Sequence, residues 1–375
     1  MNILYISELS NLGGGETSLL NLINEFNKDI YDVNPILLCF GAGKLTEQSN
    51  KSGIKTIIYD IRTNFLSFNL IKIVLTIKNI KNIIEENKIE VVQVNEWSTA
   101  LFIKIISFFS KRKIKIIWIC HGQWYAFNKV KSTLLNKSID TIIAVSDCVK
   151  NNLMKNKVNE SKIRKVPLGI DISLYSVAEK SSIKEELRIK EEVKTFAIIG
   201  RFQEIKGQKL VTEAIKRLKE MNIKCKFIFV GDSIFNNEKD NNYKKDIIGE
   251  IKSSNLQEYT EFVGVRLDIP NIIKAMDAII VPSINESFGM VVIESMASGT
   301  LVISTPCDGP SEILRNNYTG LLLKERNSEQ LVNVIKDLID EKIDINKIVE
   351  KAKDEVENYS IQAVCQRYYE IYKEV

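Results

Sequence analysis

The sequence predicts an α/β protein built from two doubly wound, Rossmann-like domains in tandem, and three observations predict it. Short runs rich in Ile and Val alternate along the chain with helical segments of roughly 10–18 residues. The runs are almost continuously apolar instead of alternating, as strands of a parallel sheet covered on both faces must be. They fall into two sets, separated by the Pro- and Gly-containing polar stretch VPLGIDISLYSVAEKSSIKEEL. A chain of 375 residues suits two domains at about 100–200 residues each.

In the first set the predicted strands are Ile3–Ser7, Pro35–Phe40, Lys55–Asp60, Glu90–Asn95, Lys115–Cys120 and Thr141–Val145. In the second they are Lys194–Gly200, Lys226–Gly231, Glu261–Gly264, Ala278–Val281, Leu301–Ser304 and Gly320–Leu323. The boundary is placed near residue 170, giving domains 1–168 and 169–359. From Ile345 onward the pattern reads as two helices with no strand after them.

Composition excludes several classes. Apolar residues make up 45% and charged residues 27%, with 17 Gly and 6 Pro, which rules out a mainly disordered, collagen-like or disulfide-scaffold chain. The six cysteines contain no C-x-x-C pair, so a metal or redox site has no suitable spacing and buried thiols of a reducing compartment are expected. MNILYIS lacks the basic start and long apolar run of a signal peptide, and no stretch approaches about 18 apolar residues. A cytoplasmic protein, at most peripheral to a membrane, is expected.

Net charge is only +4, but it is polarised. Residues 51–165 carry 21 basic against 8 acidic side chains, and residues 251–375 carry 13 against 20. A basic half attracts polyanions or an anionic membrane face. Within it, 98–117 (STALFIKIISFFSKRKIKII) mixes apolar residues with Lys104, Lys111, Arg112, Lys113 and Lys115. It reads either as a sheet-packed helix ending in a solvated basic turn or as a patch for anionic lipid. Aromatic platforms along a basic groove are not evident, so nucleic acid is not an expected partner.

Ligands of open parallel sheets bind beyond the carboxyl ends of the strands. Five sequences follow strands there. Asn11–Glu16 carries Gly13, Gly14 and Gly15 into a helix; the spacing is not G-x-G-x-x-G, and it suits a phosphate cradle or a plain tight turn. His121, the only histidine, ends the strand KIKIIWIC and suits either a structural or a site role. Arg201 and Lys206 follow TFAIIG, and such cations suit phosphate if they are not simply solvated. In VPSINESFGMVVIESMASG, Glu286 lies in a loop and Glu294 on the following helix. A helix carboxylate there can accept both hydroxyls of a ribose, or the two glutamates can serve in ion pairs. Thr305–Glu312 reads first as a turn.

Taken in order, GGGE, HGQWY, AVSDCVK, VPLGID, IGRFQEIKGQ, FVG, Glu286-x7-Glu294 and GPSEIL…NYTGLLL resemble the family-four glycosyltransferases, over nearly the whole chain. The most specific piece is Glu-x7-Glu in its ESFG context, preceded by the Arg and Lys pair. The resemblance implies the GT-B architecture, two Rossmann-like domains facing a cleft, with the helix at about 360–375 packing back on the amino-terminal domain. It implies a retaining, metal-independent enzyme moving a hexose or N-acetylhexosamine from a nucleotide sugar, UDP preferred over GDP by frequency in the family. The implied acceptor is a lipid-linked oligosaccharide of a bacterial surface glycan.

Residue by residue, the resemblance implies that Arg201 and Lys206 hold the donor diphosphate and that Glu286 contacts hydroxyls of the transferred sugar. Ser287, Phe288, Gly289 and Met290 supply donor contacts, chiefly through backbone amides, and Glu294 binds the nucleotide ribose. Gly14 and Gly15 close on the diphosphate, His121 sits near the sugar, and Phe262, Val263 and Gly264 contact the base. No cofactor is expected, and the chain has no D-x-D. A nucleotide-sugar epimerase, a phosphorylase or a non-catalytic partner of a transferase is open to the same architecture.

Overall fold

The computed structural model describes residues 1–59, 70–178, 181–233 and 237–374, with only the backbone of 70–72 and 181–182. Asp60, the last residue of one expected strand, and residues 179–180 of the expected linker lie outside these. Two compact units are present, one of Met1–Ile170 with Tyr359–Val375 and one of Asp171–Asn358.

The first unit holds a parallel sheet of β1 (Asn2–Ser7), β2 (Asn34–Cys39), β3 (Lys55–Ile58), β4 (Val91–Val94), β5 (Lys115–Cys120), β6 (Thr141–Ala144) and β7 (Ile163–Lys165). Their order is β3-β2-β1-β4-β5-β6-β7. The register places Leu4 beside Ile36 on one side and Val92 on the other. Ile3, Leu4, Tyr5 and Ile6 are all fully buried, as a central strand with helices on both faces requires. The sequence shows six strands here, and the described residues form seven. β7 is IRK, a three-residue edge strand with two exposed cations and no apolar run to reveal it.

The carboxyl-terminal helix Ile361–Glu374 packs on the helix Gly14–Phe26 in this unit. Tyr372 lies against Phe26 with ring centroids 5.6 Å apart, and its hydroxyl donates to Gln93 Oε1 on β4 at 2.5 Å. Burying a side chain of that size is worth about 2–3 kcal/mol, so the last helix is a structural part of this unit.

The second unit holds β8 (Thr195–Ile199), β9 (Lys226–Val230), β10 (Thr260–Gly264), β11 (Ala278–Val281), β12 (Leu301–Ser304) and β13 (Leu321–Leu322) in the parallel order β10-β9-β8-β11-β12-β13. Its core joins Phe196, Phe227 and Phe229 of the sheet to Val211 and Leu218 of the helix Gln208–Glu220 and Leu331 and Ile335 of the helix Ser328–Ile339. In each sheet the strand order reverses beside the first strand, between β1 and β4 and between β8 and β11. Loops leaving the carboxyl ends of those strands diverge and leave a crevice, the usual ligand position in such sheets.

Candidate functional site

At the β8/β11 crevice the structure gathers Arg201, Lys206 and Glu286. Arg201 lies two residues beyond β8 and is exposed. Lys206 ends a short turn of 3-10 helix, Glu204–Lys206. Its Nζ donates to Glu286 Oε2 at 2.5 Å, and Ser283 Oγ donates to the same oxygen at 3.3 Å. Both side chains are only partly buried. A cation and a carboxylate thus stand side by side at the crevice.

The segment after Glu286 offers backbone. Ser287 and Phe288 are buried, and the helix Met290–Ser298 starts at Gly289 with φ of 105°, a left-handed conformation suited to glycine. The first amides of a helix have no acceptor within it and favour negative charge. Gly309, expected only as part of the Thr305–Glu312 turn, shapes this segment. Its N–H donates to the Glu286 carbonyl at 2.8 Å, and a Cβ there would lie 2.4 Å from Phe288 O. The expected turn Thr305–Glu312 therefore runs into the short helix Asp308–Ile313, packed against the Glu286 loop.

Glu294 is buried one turn further along, bonded to the hydroxyl of buried Tyr175 on the helix Ile172–Ser176. Burial pushes its carboxyl up to about 7, and the Tyr175 bond offsets part of that rise. Tyr175 carries no sequence signal beyond an aromatic residue in a short amphipathic helix. Phe262, Val263 and Gly264 lie at the end of β10, two strands from β8, where the register with β9 shifts. Phe262 is stacked on Phe229 at 5.0 Å, and Gly264 O accepts from Gly231 N–H at 2.7 Å.

The other expected residues belong to the first unit. Gly14 and Gly15 open the helix Gly14–Phe26, and Gly13 N–H donates to Glu16 Oε2 at 3.1 Å. His121, just beyond β5, lies against Gly15, within 3.6 Å of where a Cβ would stand. Its Nε2 is buried with no partner among the described residues, and burial holds the imidazole down to about 4, neutral at physiological pH. Two carboxylates unnoticed in the sequence share this edge. Glu8 follows β1 directly and burial pushes it up to about 7; Glu96 follows β4 and is also raised, first by burial. Among the described residues no three His, Cys, Asp or Glu side chains are arranged to hold a metal ion.

Known proteins match along the whole chain. The family model described as "Glycosyltransferase Family 4" matches residues 12–174, and that described as "Glycosyl transferases group 1" matches 179–355. An Escherichia coli UDP-Gal:alpha-D-GlcNAc-diphosphoundecaprenol alpha-1,3-galactosyltransferase is 23% identical over 96% of this chain and 92% of its own length. The lipopolysaccharide 1,2-N-acetylglucosaminetransferase of Salmonella typhimurium is 29% identical over 55% of each chain. Among solved structures, a glycosyltransferase from Rickettsia africae superimposes with a TM-score of 0.86 and 26% identity, covering 100% of this chain and 98% of that one. Anabaena Alr3699/HepE in complex with UDP-glucose gives 0.86 at 20% identity over both complete chains. With two parallel-sheet units of the GT-B fold and both family models matched in sequence, the chain belongs to the glycosyltransferases of family four.

Proposed function

We propose that this glycosyltransferase moves a hexose or N-acetylhexosamine from a UDP-sugar to a lipid-linked saccharide of a bacterial surface glycan, with retention and without a metal. The observation that carries the reading is the Lys206–Glu286 contact at the β8/β11 crevice, with Arg201 in the loop that leaves β8. Departure of a nucleoside diphosphate builds negative charge, and preorganised cations stabilise it without reorganisation. Arg201 and Lys206 take that role, Glu286 accepts sugar hydroxyls, and Glu294 accepts the ribose diol. Neutral His121 and the amides of Gly14 and Gly15 are kept as donor contacts on the family resemblance alone. The names of the Escherichia coli and Salmonella relatives, with their UDP-Gal, diphosphoundecaprenol and lipopolysaccharide, favour this donor and acceptor class.

The direct test is turnover of UDP-glucose, UDP-galactose and their N-acetylamino forms, with and without an undecaprenyl-diphosphate-linked N-acetylhexosamine. UDP release that needs the acceptor, with the anomeric configuration kept and EDTA without effect, supports the reading. Conversion of the UDP-sugar alone indicates an epimerase, and dependence on phosphate a phosphorylase. UDP release with inversion would overturn retention.

A peripheral membrane contact is the second proposal, and a particular surface favours it. On the helix Trp97–Phe109, Ile105, Phe108 and Phe109 are exposed, with Lys104 over the Phe108 ring at 5.6 Å. Val74 and Leu75 of the adjoining helix Leu70–Glu86 are exposed too, and Lys111, Arg112 and Lys113 follow directly. Among the described residues no helix is long and apolar enough to cross a membrane. Each basic residue near an anionic surface is worth about 1 kcal/mol. Co-sedimentation with phosphatidylglycerol but not phosphatidylcholine vesicles, lost in Phe108→Asp, supports the contact; equal sedimentation of both proteins contradicts it.

A further inference from the structure

Arg201 and Lys206 ride on one short loop, and a buried side chain closes it. After β8 the chain passes Gly200, Arg201 and Phe202, makes the 3-10 turn Glu204–Lys206 and bends at Gly207, whose φ is 73°. A Cβ on Gly207 would collide with the Pro282 carbonyl, so glycine suits both the conformation and the approach. The helix Gln208–Glu220 therefore starts directly behind Lys206. From its first position Gln208 reaches back, and its Nε2 donates to the Arg201 carbonyl at 2.8 Å, seven residues earlier. The neighbours of Arg201 are held as well. Gly200 N–H donates to Val230 O at 2.9 Å and Phe202 N–H to Asp232 O at 3.2 Å. The buried Phe202 ring lies 6.2 Å from Phe229 and 6.0 Å from Phe262 between centroids. The main chain is thus tied at three successive residues, while the Arg201 side chain is exposed.

The other half of the Gln208 amide has no such use. The residue is 1% exposed, and its Oε1 is buried with no hydrogen-bond partner among the described residues. A buried acceptor left without a donor destabilises the fold. An apolar side chain of similar size would fill this place at the helix start without that penalty. Packing therefore does not account for a glutamine here, whereas the bond to Arg201 does. A cation that meets an anionic ligand gains from a backbone already fixed, because that ordering is then not lost again on binding.

We propose that Gln208 is a positioning residue for the donor diphosphate: its amide fixes the Arg201 backbone, and through it the reach of the guanidinium towards the phosphates. The inference rests on the reading of Arg201 as a phosphate ligand and deepens it. Gln208 itself touches no ligand, and its effect passes through Arg201. The orphaned Oε1 is the stability given up for that placement.

The test titrates UDP and uridine calorimetrically into the full chain as parent, Gln208→Met, Arg201→Ala and the double variant, with melting temperatures of all four. Methionine has nearly the volume of glutamine and brings no orphaned oxygen, so Gln208→Met should melt close to the parent. Its UDP affinity should fall by about five- to tenfold with uridine affinity unchanged, because only the phosphates meet Arg201. Added to Arg201→Ala, Gln208→Met should weaken UDP no further, as expected of residues that act through one contact. Equal losses for UDP and uridine would make Gln208 a merely structural residue and overturn the proposal. Additive losses in the double variant would overturn it too. UDP weakened in Arg201→Ala but not in Gln208→Met would remove the positioning role and leave the reading of Arg201 standing. UDP that fails to bind the parent, or binds Arg201→Ala equally well, would remove that reading and the role of Gln208 with it.

Discussion

Lys206 Nζ and Glu286 Oε2 are 2.5 Å apart, joining the loop after β8 to the loop after β11 across the point where the strand order reverses. The pair holds the cation on the crevice and gives the carboxylate a fixed position. On the proposed reading the cation's partner changes during the reaction, from Glu286 towards the departing diphosphate. Lys206→Ala is then expected to lower kcat by about 10²–10³, the cost of removing one preorganised charge from a developing anion. Steady-state kinetics of UDP release check it, and a change in donor KM alone would make Lys206 a binding residue only.

Glu294 sets a pH dependence. Burial raises its carboxyl from the ordinary glutamate range to about 7, so between that range and 7 the folded chain holds a proton that the unfolded chain has lost. The stability this group gives is complete at low pH and is lost as pH rises through about 7. Glu294→Gln stays neutral, so its melting temperature relative to the parent should climb from pH 5 to pH 8, by up to about 3 kcal/mol in stability. Thermal melts across that range check it; a constant difference contradicts it.

Tyr175 donates to the same carboxylate and holds its pKa down. If the ionised form accepts the ribose hydroxyls, affinity for UDP-glucose should rise as pH passes about 7 in the parent protein. Tyr175→Phe should move that rise to higher pH, and at pH 9 its affinity should approach the parent's. Titration calorimetry at several pH values reads this directly.

Gly309 supports the Glu286 loop by close approach, and its substitution separates shape from chemistry. In Gly309→Ala the new Cβ meets Phe288 O at 2.4 Å and N at 2.5 Å, so backbone must move. Overpacking of this kind costs about 1–3 kcal/mol. A loss of activity of tenfold or more is expected, with a modest fall in melting temperature. Full activity would show that the loop tolerates displacement.

Much of this was legible in the sequence because parallel strands buried on both faces leave unbroken runs such as ILYIS and AIIV. The Glu286 and Glu294 spacing was legible for a similar reason, since a loop and a helix face fix it locally. Other features leave no local trace. β7 is an edge strand of three residues with one buried side chain, and hydrogen bonding to β6 defines it. Glu8 and Glu96 are ordinary-looking loop carboxylates until the order of β1 and β4 sets them together. Tyr175 and Gly309 matter through contacts with residues more than a hundred positions away or across a turn, which no periodicity encodes.

The central claim is that the β8/β11 crevice binds a uridine diphosphate sugar through Arg201, Lys206, Glu286 and Glu294. Calorimetric titration of UDP at pH 8 into the parent protein and Glu294→Ala tests it most directly. The account predicts saturable binding of one UDP per chain, weakened by about tenfold or more in the variant. Absence of UDP binding by the parent, or equal affinity in the two proteins, would contradict it.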